Sequence, residues 1–190
     1  MTSIFRLVNL LLFLAALPAR AADEKSGGAD PMAGWEPSVI KSADKDKKEI
    51  TALLKAMEGA AAKGDLDAAV ALMDFPVLMV TDDSQGDASA EPWSREQWVT
   101  MMKPFYSKPM PPGSMTSGKP AIFLVSDSLA TVGFPWTMKM GGKSVSGTSA
   151  TLVIKKGGAW KVKSSIEGGW GDAMAGGGAG GSDQGNTPGK

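Results

Sequence analysis

An alternating stretch in the C-terminal half constrains the fold more than any other part of the chain. From Ala130 to Met140 every second residue is apolar, and Thr, Gly, Pro or Lys stands between. Because successive side chains of a strand point to opposite faces, this pattern predicts a half-buried β-strand. Similar patterns on either side of it predict a meander of antiparallel strands over residues 121–167.

Two glycine pairs set the register that we expect for this meander. Gly141-Gly142 and Gly157-Gly158 each predict a two-residue hairpin turn, because such turns need positive φ. The first turn would place Trp136 opposite Gly147, and the second would place Val153 opposite Val162. The residues that this register places on one face, which we expect to be the core face, are Val132, Phe134, Trp136, Met138, Val145, Val153, Trp160, Val162 and Ile166.

Helical patterns and turn signals occupy the part of the chain before the meander. A first helix is predicted from a cap at Ser42 to a stop at Gly64, and a short second helix from a cap at Asp65 through Met73. A short apolar strand follows at residues 77–81. Residues 82–91 and 107–119 are polar or rich in proline and glycine, so we expect loops there.

A third helix carries the clearest local signature in the chain. Ser94 and Gln97 have the spacing of a capping box, in which each side chain satisfies a backbone N–H of the other. Trp93 and Trp98 stand at the two positions of a hydrophobic staple around it. We therefore expect a well-anchored helix that ends near Pro104.

The first 21 residues have the pattern of a secretory signal peptide. Arg6 precedes an apolar run at residues 10–17, and Ala19-Arg20-Ala21 ends the segment with small residues around the cleavage point. A membrane anchor is the alternative, but the run is short for a membrane span. We expect export to the periplasm or the exterior, with residues 22–41 as a flexible leader and 172–190 as a disordered, glycine-rich tail.

Three stretches resemble the NTF2-like superfamily, and in particular its SnoaL-like bacterial branch. They are residues 61–68 (AAKGDLDA), 125–132 (VSDSLATV) and 152–162 (LVIKKGGAWKV). The resemblance implies an α+β, cystatin-like, cone-shaped roll, in which three N-terminal helices pack on a twisted antiparallel sheet. We expect this domain to span residues 42–171.

The same resemblance implies several possible activities. Its members include ketosteroid isomerases, dehydratases, hydrolases and non-catalytic binders, so the fold alone does not select one. Enzymes of this type place an Asp in the cone, often with His, Tyr or Arg. This chain has no His and a single Tyr, Tyr106. The predicted core face carries Ser149, Thr151 and Ser164 but no carboxylate, which favours a binding or protein-interaction module over an enzyme.

Aromatic and methionine side chains are the candidate ligand-binding residues. They could line an apolar pocket in the cone or fill its core, since pockets and cores have the same composition. The candidates are Trp98, Met102, Tyr106, Phe134, Trp136, Met138 and Trp160.

Asp82 and Asp83 are the candidates for acid–base chemistry. A desolvated loop carboxylate could serve a cofactor-free isomerase, dehydratase or hydrolase, or the pair could bind calcium. Asp is also a common turn former, which explains the pair without any chemistry.

Composition limits the other ligands and partners. Without His or Cys the chain cannot build the usual zinc, copper or non-haem iron sites, and we expect no metal or cofactor. Removal of Arg6 and Arg20 with the signal leaves the chain with two more acidic than basic residues. This net negative charge gives no attraction to nucleic acid or to anionic membrane, so we expect neither as a partner after signal cleavage. The second sheet face carries Leu129, Leu152 and Ile154, which predicts a homodimer through it. A small apolar molecule is the other expected partner.

Overall fold

A computed structural model describes residues 36, 38–140 and 142–175, and its core is one mixed sheet. Within these residues the sheet has seven strands. They are β1 (Met73–Asp82), β2 (Ala88–Trp93), β3 (Met115–Ser117), β4 (Ala121–Ser126), β5 (Leu129–Met140), β6 (Lys143–Lys156) and β7 (Ala159–Glu167). The helices are α1 (Ala43–Lys63), α2 (Leu66–Ala71), α3 (Arg95–Met102) and α4 (Gly171–Ala175).

The strand order is β2-β1-β7-β6-β5-β3, and β4 pairs with β5 beside β3. The meander β4 to β7 is antiparallel, as the glycine pairs predict. The predicted pairs Trp136–Gly147 and Val153–Val162 are both present. The expectation of a wholly antiparallel sheet is wrong, because β1 joins β7 in the parallel direction. Turn residues predict only the pairing of strands that they connect directly, and β1 and β7 are far apart in the chain.

A β-bulge in β7 changes the face of the residues that follow it. Val153 pairs with Val162, but Ala150 pairs with Ile166, so β7 has one residue more than β6 between these two pairs. One extra residue reverses the alternation beyond it. Ile166, predicted on the core face, is therefore 42% exposed on the other face. Val145 is also exposed although it keeps its predicted face, since it lies close to the β5–β6 turn.

Local signals place the helix ends correctly in most cases. Gly64 ends α1 in the left-handed conformation (φ 68°), and the Asp65 side chain accepts the Ala68 N–H at 2.9 Å to cap α2. Ser94 and Gln97 form the complete capping box of α3. Ser42 occupies the cap position of α1 but makes no capping bond with its side chain. Its backbone N–H donates instead to Asp127.

Two segments that are predicted as loops contain strands. β2 begins within the predicted loop 82–91, and β3 lies within 107–119. In addition, Met73 begins β1 rather than ending α2. The last difference is at the C-terminus, where α4 occupies Gly171–Ala175. The folded part therefore extends past the predicted boundary at residue 171.

The hydrophobic core lies between the helices and one face of the sheet. Its fully buried members are Ile50 of α1, Ala69 of α2, Val77 of β1, Ala130 and Val132 of β5, and Val153 of β6. The predicted signal at residues 1–21, most of the leader, and the tail from residue 176 lie outside the described residues. In the part that is described, no helix is long and apolar enough to cross a membrane.

Candidate functional site

Most of the predicted ligand-binding side chains pack into the core. Trp98 is 3% exposed, and its ring centroid lies 6.2 Å from Phe75 and 6.3 Å from Tyr106. Met102 and Phe134 pack against the same core cluster. Edge-on and tilted contacts of this kind between aromatic rings stabilise a core. The structure thus brings Trp98, Met102, Tyr106 and Phe134 together as packing residues.

Tyr106 is half-buried in the turn that follows α3. Burial raises the pKa of the Tyr106 hydroxyl above its usual value, because the phenolate would lose its hydration. The side chain is therefore a neutral phenol across the physiological range. It can donate or accept a hydrogen bond but cannot act as a base there.

Trp136 and Met138 lie outside the core cluster, at the edge of the sheet where β3 pairs with β5. Trp136 is opposite Ser117 and Met138 is opposite Met115. The Trp136 indole covers Gly147 so closely that a Cβ on the glycine would lie 2.5 Å from the ring. The ring therefore covers the bare backbone of the glycine. Trp136 keeps the partner that the sequence predicts, but it lies outside the core cluster and its ring packs against the neighbouring strand.

A shallow pocket of about 230 Å³ opens beside Trp136. The indole Nε1 is buried without a hydrogen-bond partner. The residues that line the pocket are Thr116, Ser117, Gly118, Pro135, Trp136 and Thr137.

Trp160 belongs to a polar cluster that joins α1 to the β6–β7 hairpin. Its Nε1 donates to Asp46 at 3.3 Å, and Lys155 Nζ donates to the same carboxylate oxygen at 2.5 Å. Lys155 also lies 5.2 Å from the Trp160 ring centroid and 3.2 Å from Glu49. Hydrogen bonding to Asp46 raises the pKa of Lys155, so the lysine stays charged. This arrangement docks the start of α1 and leaves Trp160 no free face for a ligand.

The two candidate carboxylates at the end of β1 accept hydrogen bonds from backbone N–H groups. Asp83 accepts the N–H groups of Gln85 and Asp87, each at 2.9 Å. Asp82 accepts the Gly169 N–H at 2.6 Å. Among the described residues no three His, Cys, Asp or Glu side chains are grouped to hold a metal ion. The structure gives both aspartates a backbone-anchoring role.

A carboxylate does lie on the core face, contrary to the sequence prediction. Glu167 pairs with Ser149, and Ser149 pairs with Phe134, so these three residues form one row across β7, β6 and β5. The bulge in β7 turns Glu167 to this side. Without the bulge, Glu167 would lie on the outer face, as the sequence pattern predicts. We find no local sequence signal for this bulge.

The Glu167 carboxyl is partly desolvated. Burial raises the pKa of Glu167 above its usual value, while hydrogen bonding from the side chains of Ser149 and Trp170 opposes the increase. A carboxyl of this kind can exchange a proton with a bound molecule nearer to neutral pH than a solvated one can. Glu167 is therefore the best-placed group in the described structure for acid–base chemistry.

Comparison with solved structures identifies the fold. A Shewanella oneidensis NTF2-like protein of unknown function has a TM-score of 0.54 at 21% identity, over 64% of this chain and 98% of its own. A putative scytalone dehydratase from Novosphingobium aromaticivorans has a TM-score of 0.52 at 14% identity, over 66% and 85%. The association domain of C. elegans CaMKII has a TM-score of 0.50 at 11% identity, over 65% and 95%.

Sequence comparison adds nothing to this. No protein-family model matches the chain, and no curated protein matches it. The structural likeness, together with the mixed sheet and its helices, shows that the chain has the NTF2-like α+β fold.

Proposed function

We propose that this chain is an exported NTF2-like interaction module that pairs with a second copy of itself through the outer face of its sheet. One observation carries the proposal, an apolar band that crosses five strands on the face opposite the core. One row of the band follows the strand pairing through Val80, Ile166, Ala150, Gly133 and Ala121. A neighbouring row runs through Leu152, Thr131 and Phe123.

The band is exposed in the single chain. Phe123 is 69% exposed and Ile166 is 42% exposed. Leu129 and Ile154 pair with each other and extend the band towards the β4–β5 turn. Contiguous apolar surface of this kind costs free energy in water and marks an interaction site.

The shape of the band suits a second copy. A side chain added at Gly133 would meet nothing within 4 Å, so the row of small residues is an open hollow. Phe123 projects beside that hollow from the adjacent strand. A two-fold axis that lies parallel to the sheet, between the two outer faces, could place the Phe123 ring of each copy over the hollow of the other, which is the self-complementarity that a symmetric dimer needs.

The alternative binding role, for a small apolar molecule in the cone, loses most of its proposed residues to the core. Trp98 and Trp160 are both buried against protein. Association is also the role named for one protein of this fold, the CaMKII association domain. Both considerations favour protein interaction as the main function.

Sedimentation velocity over a concentration series tests the proposal. The chain from residue 22 onward should sediment as a dimer at micromolar concentration, and Phe123→Lys should be monomeric because a charge cannot be buried unpaired in the interface. Val145→Lys is the matched control, since Val145 is 48% exposed but lies on the other face of the sheet. It should leave the dimer intact.

Two results would overturn the association. One is a monomer throughout the series for the unaltered chain. The other is a dimer that Phe123→Lys and Val145→Lys weaken equally.

Export has its own test, the mass of the chain recovered outside the cytoplasm. A mass that includes residues 1–21 would contradict signal cleavage.

A further inference from the structure

The basic and acidic residues of this chain are unevenly distributed. Residues 97–166, which take in β3 to β6 and nearly all of β7, contain nine lysines and a single acidic residue, Asp127. Most of the acidic residues precede this stretch. The small net charge of the whole chain therefore conceals a basic meander, and local charge rather than net charge decides which partners a surface attracts.

Four of these lysines are tied to other parts of the domain by their ammonium groups. Their partners are carboxylates of α1 and β1 or the last carbonyl of α2, and the four are Lys155, Lys156, Lys161 and Lys163. Lys139 and Lys143 differ, because both are exposed and neither has an ion-pair partner within the part of the chain that the structure describes. These two lysines are therefore available to an anionic partner.

Lys139 and Lys143 flank the turn of the β5–β6 hairpin. Lys139 pairs with Ser144 and Lys143 pairs with Met140, so they belong to the last two pairs before the turn. Successive pairs face opposite sides of a sheet, so the hairpin presents one lysine on each of its faces. The end of the hairpin is thus basic on both sides.

An apolar row runs across three strands beside this end of the hairpin. Met138 pairs with Met115 on one side and with Val145 on the other. Val145 is 48% exposed, and both methionines are partly exposed. The row lies on the face that carries the core, but all three residues are outside the core cluster. The helices therefore leave this part of the sheet open to water.

We propose that this end of the hairpin binds the surface of an anionic lipid bilayer. The apolar row enters the boundary between headgroups and acyl chains, and Lys139 and Lys143 contact the lipid phosphates. Lysines beside apolar side chains suit a membrane interface, because the long lysine stem follows the apolar surface while its ammonium group stays in water. A nucleic acid or an acidic peptide would use the lysines but not the exposed row, and this selects a bilayer as the partner.

Co-sedimentation with lipid vesicles tests the proposal. The chain from residue 22 onward is used, because the apolar run at residues 10–17 would bind a membrane by itself. It should bind vesicles made of phosphatidylglycerol and phosphatidylcholine in equal parts, and it should not bind vesicles of phosphatidylcholine alone. Added salt should weaken the binding, because it screens the attraction between the lysines and the anionic headgroups.

Neutral substitutions at the hairpin measure the part played by its charge. Lys139→Gln combined with Lys143→Gln should weaken binding to the anionic vesicles about 25-fold, which is roughly fivefold for each lysine. Lys47→Gln combined with Lys48→Gln is the matched control, since it changes the net charge equally and both residues are exposed on α1. The control should bind like the unaltered chain.

The apolar row has a test of its own. Val145→Ser should weaken vesicle binding without any change in charge, because it removes apolar surface from the boundary. Val39→Ser is the control and should have no effect. Val39 is 68% exposed next to Lys41, whose N–H donates to Asp127 in the β4–β5 turn, at the opposite end of β5.

A fluorescent label reports whether the row enters the bilayer. The chain contains no cysteine, so an introduced cysteine carries an environment-sensitive dye at one chosen position. The dye on Val145→Cys should shift its emission to shorter wavelength when anionic vesicles are added. The dye on Ser89→Cys should not, because Ser89 is exposed on β2, at the other edge of the sheet.

Several results would overturn the proposal. They are a lack of binding to anionic vesicles, equal weakening by the two lysine pairs, and an unshifted dye at Val145→Cys. Binding to polyglutamate without binding to vesicles would assign the lysines to an acidic macromolecule instead. Sedimentation velocity of the same variants reports the dimer separately, so a failure of vesicle binding is distinguishable from a failure of association.

Discussion

Ser149 and Glu167 lie directly opposite each other on β6 and β7, on the face of the sheet that packs against the helices. Without the bulge, Ser149 would face Ile166, and Glu167 would lie on the outer face. The bulge therefore places the Glu167 carboxyl, rather than the Ile166 side chain, next to Ser149 on the core face. The same extra residue places Ile166 in the apolar band on the outer face.

The Glu167 carboxyl should make the stability of the domain depend on pH in an unusual direction. Burial raises the pKa of Glu167 in the folded chain above its value in the unfolded chain. The folded state then binds the proton more tightly, so this contribution to stability is fully present below the unfolded pKa. It is lost as the pH rises through the folded pKa.

Glu167→Gln should accordingly increase the free energy of unfolding at neutral pH, and it should do so more than at acid pH. The amide is neutral at every pH, so it avoids the cost of burying a charge. Urea unfolding at pH 7 and pH 4 gives the comparison. If the free energies of unfolding of Glu167→Gln and the parent differ by the same amount at both pH values, then burial does not penalise the charged form of Glu167.

Asp46 should be the most costly single carboxylate to remove. It is fully buried and holds Lys155 and the Trp160 indole N–H. Asp46→Ala leaves the buried indole N–H without an acceptor and leaves Lys155 with Glu49 alone, and we expect a loss of about 3 kcal/mol in the free energy of unfolding. Asp44→Ala is the control, since Asp44 is exposed in the same first turn of α1. A loss no larger than that of Asp44→Ala would mean that the buried cluster does not stabilise the fold.

Signals within a few residues of each other predicted the structure well. The two glycine pairs gave the register of β5, β6 and β7 up to the bulge, and the Ser94–Gln97 spacing gave the start of α3. Each depends on backbone geometry that a short sequence determines by itself.

Features that depend on distant contacts were not predictable in the same way. β2 has five exposed residues before Trp93 and no alternation, so only its pairing with β1 makes it a strand. The parallel pairing of β1 with β7 joins strands separated by most of the domain. Trp170 could have been noticed as a large aromatic residue in a glycine-rich tail, which needs a packing partner, but its partner Phe105 could not.

The capping box of α3 should contribute measurably to stability. The Ser94 hydroxyl accepts the Gln97 N–H at 3.2 Å, and the Gln97 side chain accepts the Ser94 N–H at 2.8 Å. Ser94→Ala should lower the free energy of unfolding by about 1 kcal/mol. Ser42→Ala is the matched control, because Ser42 occupies the cap position of α1 without a capping bond from its side chain. Equal effects of the two substitutions in urea melts would show that the Ser94 bond contributes nothing.

Trp136 and Gly147 should be strongly coupled. A Cβ at Gly147 would lie 2.5 Å from the Trp136 ring, so Gly147→Ala must displace the indole or the strand. Overpacking of this kind costs about 1–3 kcal/mol. Trp136→Ala removes the obstacle, and Gly147→Ala in that background should then be neutral or slightly stabilising, because alanine restricts the unfolded chain more than glycine does.

A double-mutant cycle measures this coupling directly. The four proteins are the parent, Trp136→Ala, Gly147→Ala and the combination, each unfolded in urea. Because Trp136 is only half-buried and lies outside the core cluster, Trp136→Ala should cost less than Trp98→Ala, which removes a ring that is 3% exposed. We expect about 3–5 kcal/mol for Trp98→Ala. Additive effects of the Trp136 and Gly147 substitutions would show that the ring does not rest on the glycine in solution.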